Sequence, residues 1–224
     1  MIAILQARIN STRLNSKSVK NIYKNFNSTD IILDKLLYLH KKKFINKIFV
    51  ATGPLKKNKF FQKYEQNNIK IYFGSEKNVQ SRFIQILKNE KSKFCIRLTA
   101  DNPFVDVSLI KILIRKIKKD NLNYATFQKN QIPYGSGVEI FNTNYFLKLA
   151  KIKKNKFAFE HVTSDILKGK KSLFLTPPQK YKKLIKMRLT IDNIEDYLFA
   201  KFLCKKNNSC HLNLFQINNF LLSI

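Results

Sequence analysis

The sequence predicts an α/β protein with a mostly parallel sheet and helices on both of its faces. Strand-like apolar runs alternate strictly with helix-like segments through the first half of the chain. The first of those strands opens directly into a small polar loop rich in cations. With 224 residues, 44% of them hydrophobic, the chain can bury the core of one α/β domain, and residues 1–224 are taken as a single domain.

The elements follow in order. Ile2-Ala3-Ile4-Leu5 is the first strand, with further strands at Lys47–Ala51, Ile69–Phe73 and Phe94–Leu98. Between them, Ile32, Leu36 and Leu39 recur at helical spacing in 31–43, as do Val79, Phe83, Ile86 and Leu87 in 78–90. Residues 106–118 repeat the pattern through Ile110, Leu113, Ile114 and Ile117, with Asp106 placed as N-cap. The second half is less regular. Strands at 124–127 and 138–141 flank a loop containing Pro133, Gly135 and Gly137, and helices are expected over 144–151 and 157–167. Met187–Ile191 reads as a late strand, running through Asp192 into a helix over 194–204, and 212–222 reads as a closing helix. No repeat and no Gly/Ser/Pro linker interrupts the chain.

Lys+Arg of 43 against Asp+Glu of 14 gives a formal charge of +29. Such a charge raises binding to nucleic acid or an anionic surface as an alternative function. Only six of the 43 are arginine, and the lysine pairs are scattered from 56–57 to 205–206. An evolved footprint would gather Arg and charge on one face, so no specific nucleic-acid partner is expected. Cys95, Cys204 and Cys210 form no paired pattern, which points to a reducing, cytoplasmic setting and leaves no cysteine metal site. No apolar run approaches the ~18–20 residues that span a bilayer, and no signal-peptide layout is present.

The candidate chemistry begins in the first loop, Gln6-Ala7-Arg8-Ile9-Asn10-Ser11-Thr12-Arg13-Leu14-Asn15-Ser16-Lys17. Backbone N–H groups, hydroxyls and cations after a buried strand are a means of gripping phosphate. Neither a Walker Lys-Ser/Thr nor a G-x-G-x-x-G is present. Two acids stand out in a chain poor in them. Arg97-Leu98-Thr99-Ala100-Asp101 and Arg188-Leu189-Thr190-Ile191-Asp192 share the pattern R-L-T-x-D, each placing an aspartate at a strand end. In a parallel sheet such ends meet at the ligand-binding edge. Asp101 and Asp192 could together hold Mg²⁺ against a nucleoside triphosphate, since Mg²⁺ favours one or two carboxylates plus phosphate oxygens. Each could equally cap the turn or helix that follows it.

These residues carry a resemblance. The first loop resembles the signature of the cytidylyltransferases that activate acidic sugars, with the spore-coat polysaccharide biosynthesis protein F branch nearest and CMP-Kdo synthetase and acylneuraminate cytidylyltransferase as relatives. Matching segments follow in order: Val50-Ala51-Thr52, Phe73–Glu76 with Arg82-Phe83, Arg97–Asp106, Gly137–Phe141, Glu160–Thr163 and Arg188–Asp192 with Glu195-Asp196. The resemblance implies a three-layer α/β/α Rossmann-like nucleotide-sugar transferase fold. It also implies a Mg²⁺-dependent transfer of CMP from CTP to a sugar, with pyrophosphate released. By position, Arg8, Ser11, Thr12, Arg13 and Lys17 are implied to bind the triphosphate, with Arg82 also facing the nucleotide. Arg8, Lys17 and Asp101 are implied to be catalytic, Asp101 and Asp192 to bind the metal, and Glu139, His161 and Thr163 to lie on the acceptor side. His161 could equally be a structural histidine, and Arg97 and Arg188 scaffold ion pairs. A homodimer is compatible with the resemblance. The chain departs from the family's Leu-Pro-Gly-Lys at Leu14-Asn15-Ser16-Lys17, where Asn15 could supply a left-handed turn. It also lacks two acids of the family's Pro-Asp-Gly-Leu-Asp-Val-Glu across Pro133–Glu139, which bears on the identity of the sugar.

Overall fold

The computed structural model describes residues 1–10, 14–152, 156–167 and 169–223, the side chains of 182 and 183 excepted. In chain order, β1 (Ile2–Gln6) leads to a hairpin of β2 (Asn21–Tyr23) and β3 (Phe26–Asn27), then α1 (Ser28–Lys41) and β4 (Lys47–Thr52). The short α2 (Leu55–Asn58) and a 3-10 turn over Lys59–Tyr64 precede β5 (Ile69–Phe73), α3 (Val79–Asn89), β6 (Phe94–Thr99) and α4 (Val107–Lys119). Then come β7 (Tyr124–Phe127), β8 (Glu139–Asn142), α5 (Thr143–Ile152), α6 (Lys156–Glu160) and β9 (Ser172–Leu175). A 3-10 turn over Gln179–Leu184, α7 (Ile194–Lys206) and α8 (Leu214–Leu222) end the chain.

Seven strands form one sheet in the order β5-β4-β1-β6-β8-β7-β9. Only β8 runs against its neighbours; the other pairings are parallel. Central β1 lies between β4 and β6, with Ile4 level with Phe49 on one side and Arg97 on the other. Buried on both faces, it reads as an unbroken apolar run. Reversal of β8 brings its first residue, Glu139, opposite Arg97 near the carboxyl end of β6.

Alternate strand residues feed two cores. Ala3, Leu5, Ile48, Val50, Ile96 and Leu98 pack with α1, α4, α7 and α8 on one face. Ile2, Ile4, Phe49, Ala51 and Cys95 pack with Val79, Phe83, Ile86 and Leu87 of α3 and Phe146 of α5 on the other. The architecture is the expected three-layer α/β/α sandwich. Asp106 caps α4 as expected, accepting from Ser108 N at 2.7 Å and Leu109 N at 3.4 Å. Among the described residues, no helix is long and apolar enough to cross a membrane.

Two expected elements are corrected. Residues 187–191 are not a sheet strand: their one bridge is Arg188 with Tyr134. Leu189 and Ile191 do turn inward, which produced the alternation, but β9 already occupies the edge of β7. The expected 157–167 helix stops at Glu160. Beyond it the Val162 carbonyl accepts from Gln80 Nε2 at 3.2 Å, and the chain proceeds by tighter turns such as Ile166 N to Thr163 O, 3.0 Å.

Candidate active site

The carboxyl ends of β1, β4 and β6 define one edge of the sheet, and the loop after β1 folds over it. Ile9 anchors that loop at both backbone groups: its N–H donates to Asn58 Oδ1 at 3.1 Å, and its carbonyl accepts from Ser16 N at 2.9 Å. The Ser18 hydroxyl donates to the Arg8 carbonyl at 2.7 Å, and the Thr29 hydroxyl to the Ser18 carbonyl at 2.7 Å. Ser16 adopts φ 58°, so the left-handed residue is Ser16 rather than Asn15. It stands where the family reads Gly, the residue that takes this conformation without strain. Ser11, Thr12 and Arg13, expected at the triphosphate, lie outside the described residues.

The left-handed turn delivers Lys17 inward, where it is 7% exposed. Its Nζ lies 2.9 Å from Asp192 Oδ1 and 3.0 Å from Asp101 Oδ2. Three sequence-predicted residues, drawn from three distant segments, therefore meet at one point. Asp101 leaves the end of β6, and its carbonyl accepts from Ile191 N at 2.8 Å, tying the two aspartate segments together. Burial pushes the Asp101 carboxyl above the usual carboxylate range and nearby Asp192 adds to this, while Lys17 and Arg8 oppose it. The second oxygen of Asp192 accepts from Arg188 Nη2 at 3.1 Å. Arg188 also clamps Asp196, with Nε at 2.7 Å and Nη2 at 3.0 Å, and Asp196 closes the capping box of α7. Arg188 is thus a scaffold for Asp192, and its ring partner is Tyr134 at 5.0 Å. The Tyr134 turn comes this close because Gly135 has φ 90°, and a Cβ there would lie 2.4 Å from Thr190 N.

Arg8 is part-exposed and faces Glu160 at 3.9 Å. Arg82, expected at the nucleotide, is buried and donates to backbone carbonyls: Ser75 at 2.6 Å, Glu76 at 3.1 Å and Ala51 at 3.4 Å. Burial lowers its pKa to about 10, with Glu76 opposing and Arg8 reinforcing. Its observed work is to build the loop after β5.

Glu139 and Thr163, expected on the acceptor side, belong to one polar network. Glu139 pairs with Arg97, and its Oε1 accepts from Tyr124 OH at 2.6 Å and Thr163 Oγ1 at 2.7 Å. Arg97 Nη2 reaches Gln6 Oε1 at 3.1 Å. Burial alone would raise the Glu139 carboxyl, but Arg97, Tyr124 and Thr163 hold it below its ordinary range. Arg97 and Glu139 line a cavity of about 560 Å³ with Thr99 and Asn102, the residues bracketing Asp101, and Phe127 and Val138 supply apolar wall. His161 is exposed and stacks on Phe157 at 4.2 Å, apart from that network's hydrogen bonds. Sequence reasoning gave no site role to Gln6, Tyr124, Asn58 or Asp196. Gln6 and Tyr124 lie at strand ends, but Asn58 and Asp196 sit on helices whose placement beside the site only the fold reveals.

The Lys17 ammonium occupies the space between the two carboxylates. Among the described residues no cluster of three or more His, Cys, Asp or Glu could hold a metal alone. Two carboxylates suit an ion that takes its remaining ligands from phosphate and water.

Comparison with known proteins shows the family and the fold. The cytidylyltransferase family pattern matches residues 2–219. The spore coat polysaccharide biosynthesis protein SpsF of Bacillus subtilis is 30% identical over 216 residues, covering 92% of this chain and 87% of that protein. A cytidylyltransferase structure from Leptospira borgpetersenii superposes with a TM-score of 0.85 at 22% identity, covering 99% of this chain and 94% of the other. A CMP:2-keto-3-deoxy-manno-octonic acid synthetase complexed with CTP superposes with a TM-score of 0.65 at 13% identity, over 92% and 98%. A family pattern spanning nearly the whole chain, on a fold shared with such enzymes, places this protein in the cytidylyltransferase family.

Proposed function

We propose that this protein transfers CMP from CTP to an acidic sugar, releasing pyrophosphate, in surface polysaccharide or glycan biosynthesis. The observation that carries the reading is the convergence of Lys17, Asp101 and Asp192 beside the cavity floored by Arg97 and Glu139. Family membership, the polysaccharide role in the name of the Bacillus relative and the CTP bound by the synthetase neighbour support it. The acidic character of the sugar rests on the resemblance of the chain to acid-sugar enzymes. The same reading takes the enzyme to be cytoplasmic and allows a homodimer.

In this mechanism a sugar hydroxyl oxygen bonds to the α-phosphorus and gives up its proton, while the bond to the β-bridging oxygen breaks. No covalent work falls to a side chain, so positioning and charge neutralisation carry the rate. Arg8, Arg13 and Lys17 neutralise the triphosphate, helped by the Ser11 and Thr12 hydroxyls, and Arg82 fixes the loop beside the nucleotide. Asp101 and Asp192 would hold Mg²⁺, whose chemistry when bound would be to supply positive charge against the triphosphate. Glu139 and Thr163 shape the acceptor side, with His161 at its rim.

Thermal denaturation with CTP and Mg²⁺, set against UTP and GTP, tests the nucleotide. A ligand at about 100 times its Kd adds roughly 2.7 kcal/mol, a readily measured shift. Pyrophosphate release with CTP and a panel of sugar acids tests the acceptor. Asp101→Asn and Asp192→Asn are each expected to lower turnover by orders of magnitude in a folded protein. Wild-type turnover in either variant refutes the assignment.

A further inference from the structure

The Lys17 ammonium lies where the two candidate metal carboxylates converge, within 3.0 Å of an oxygen on each. We infer that Lys17 is an internal counter-ion that keeps divalent metal off the free protein and yields the site only when a nucleoside triphosphate offers it a second anionic partner. The inference rests on the metal-site reading above and specifies how that site is regulated.

Three features support it. First, the contacts are shared: Asp101 Oδ2 and Asp192 Oδ1 both point at Nζ, so an ion ligated by those oxygens and the ammonium exclude each other. Second, Lys17 is 7% exposed and Asp192 8%. Displacing Nζ without a replacement would strand a cation in a poorly solvated place and leave two carboxylates facing each other. Third, the stem can move: Lys17 lies on the same loop after β1 as Arg8, and its four-carbon stem is flexible, so Nζ can turn toward a phosphate held beside Arg8. Phosphate oxygens there would satisfy the ammonium as it leaves the aspartates. Metal and nucleotide are therefore coupled: each binds better when the other is present, and by the same factor. The position of Lys17, rather than any shortage of carboxylate, sets the low metal affinity of the free protein.

The test is Mn²⁺ binding, read from the electron paramagnetic resonance of the free ion, with and without CTP and corrected for Mn²⁺ held by CTP in solution. Wild type is compared with Lys17→Met and Lys17→Gln, the glutamine variant retaining hydrogen bonds to the carboxylates should the methionine variant fail to fold. Without nucleotide, a folded neutral variant is expected to bind Mn²⁺ about tenfold more tightly than wild type or better, within the usual span of coupling between sites. A merely structural lysine predicts the opposite sign, because a disordered site binds metal less well. Unchanged or weaker Mn²⁺ binding by a folded neutral variant overturns the inference if Asp101→Asn and Asp192→Asn still remove Mn²⁺ from the wild-type CTP complex. If those two substitutions leave Mn²⁺ binding in that complex intact, the metal-site reading itself fails, and the inference with it.

Discussion

Replacing Glu139 by Gln removes one charge from a network whose members are otherwise kept in place. In the wild type, Glu139 pairs with Arg97 and accepts from Tyr124 at 2.6 Å and Thr163 at 2.7 Å. The two charged side chains are only 16% and 20% exposed, so solvent screens the pair poorly. Breaking a fully buried pair by removing one partner costs about 3–5 kcal/mol. The residual exposure lowers the expectation for E139Q to about 2–4 kcal/mol. A protein with the usual total stability of about 5–15 kcal/mol then still folds, and urea denaturation monitored by circular dichroism reads the difference. The pH dependence is a second handle. The folded Glu139 pKa lies below its unfolded value, so its contribution is complete above the unfolded pKa, near 4.5, and disappears as pH falls through the lower folded value. The gap between wild type and E139Q should accordingly be widest at pH 7 and narrow as pH falls below about 4.5. Replacing Arg97 and Glu139 together by Met should cost less than the sum of the single substitutions. A loss under about 1 kcal/mol at pH 7, as for an exposed pair, or strict additivity, would refute the claim that this is a coupled buried pair.

Other expectations can be tested the same way. Gly135→Ala should destabilise by more than about 2 kcal/mol, because it combines positive φ with a 2.4 Å contact to Thr190 N; an unchanged urea midpoint would contradict this. Ser16→Gly should raise stability by up to about 1 kcal/mol, since left-handed backbone is strained for serine, and a lowered urea midpoint would show the hydroxyl matters more. Asp106→Ala should cost about 1–2 kcal/mol through loss of the α4 cap, and faster amide exchange should spread to the start of α8, where Leu214 N donates to the same carboxylate at 3.4 Å.

The fold was legible where burial imposes a simple pattern. Central β1 and β4 read as apolar runs, and β6 as one broken only by Arg97, because both faces are covered; α3 and α4 read from periodicity, and α4 also from its Asp106 cap. The edge strand β9 is not legible: its apolar run, Leu173–Leu175, is only three residues long and stays half-exposed or exposed, too short to separate from a loop. Residues 187–191 show the converse failure, since in-out alternation records which side chains are buried and cannot reveal whether a neighbouring strand is free to pair. At the site, charge rarity singled out Asp101 and Asp192, and the loop singled out Lys17. Arg97 and Arg188 share the R-L-T-x-D pattern yet act differently. Arg188 reaches its own Asp192 four residues on, whereas Arg97 crosses to Glu139 on the reversed neighbour strand, a pairing that only topology determines.

The two aspartates differ in how they are mounted. Asp101 follows a strand hydrogen-bonded on both flanks, whereas Asp192 follows a stretch held to the Tyr134 turn by two backbone hydrogen bonds and to Asp101 by a third. Changes between β7 and β8 that leave Tyr134 in place can therefore alter the cavity wall without moving either aspartate, whereas a shift of Tyr134 is passed to Asp192 through Arg188.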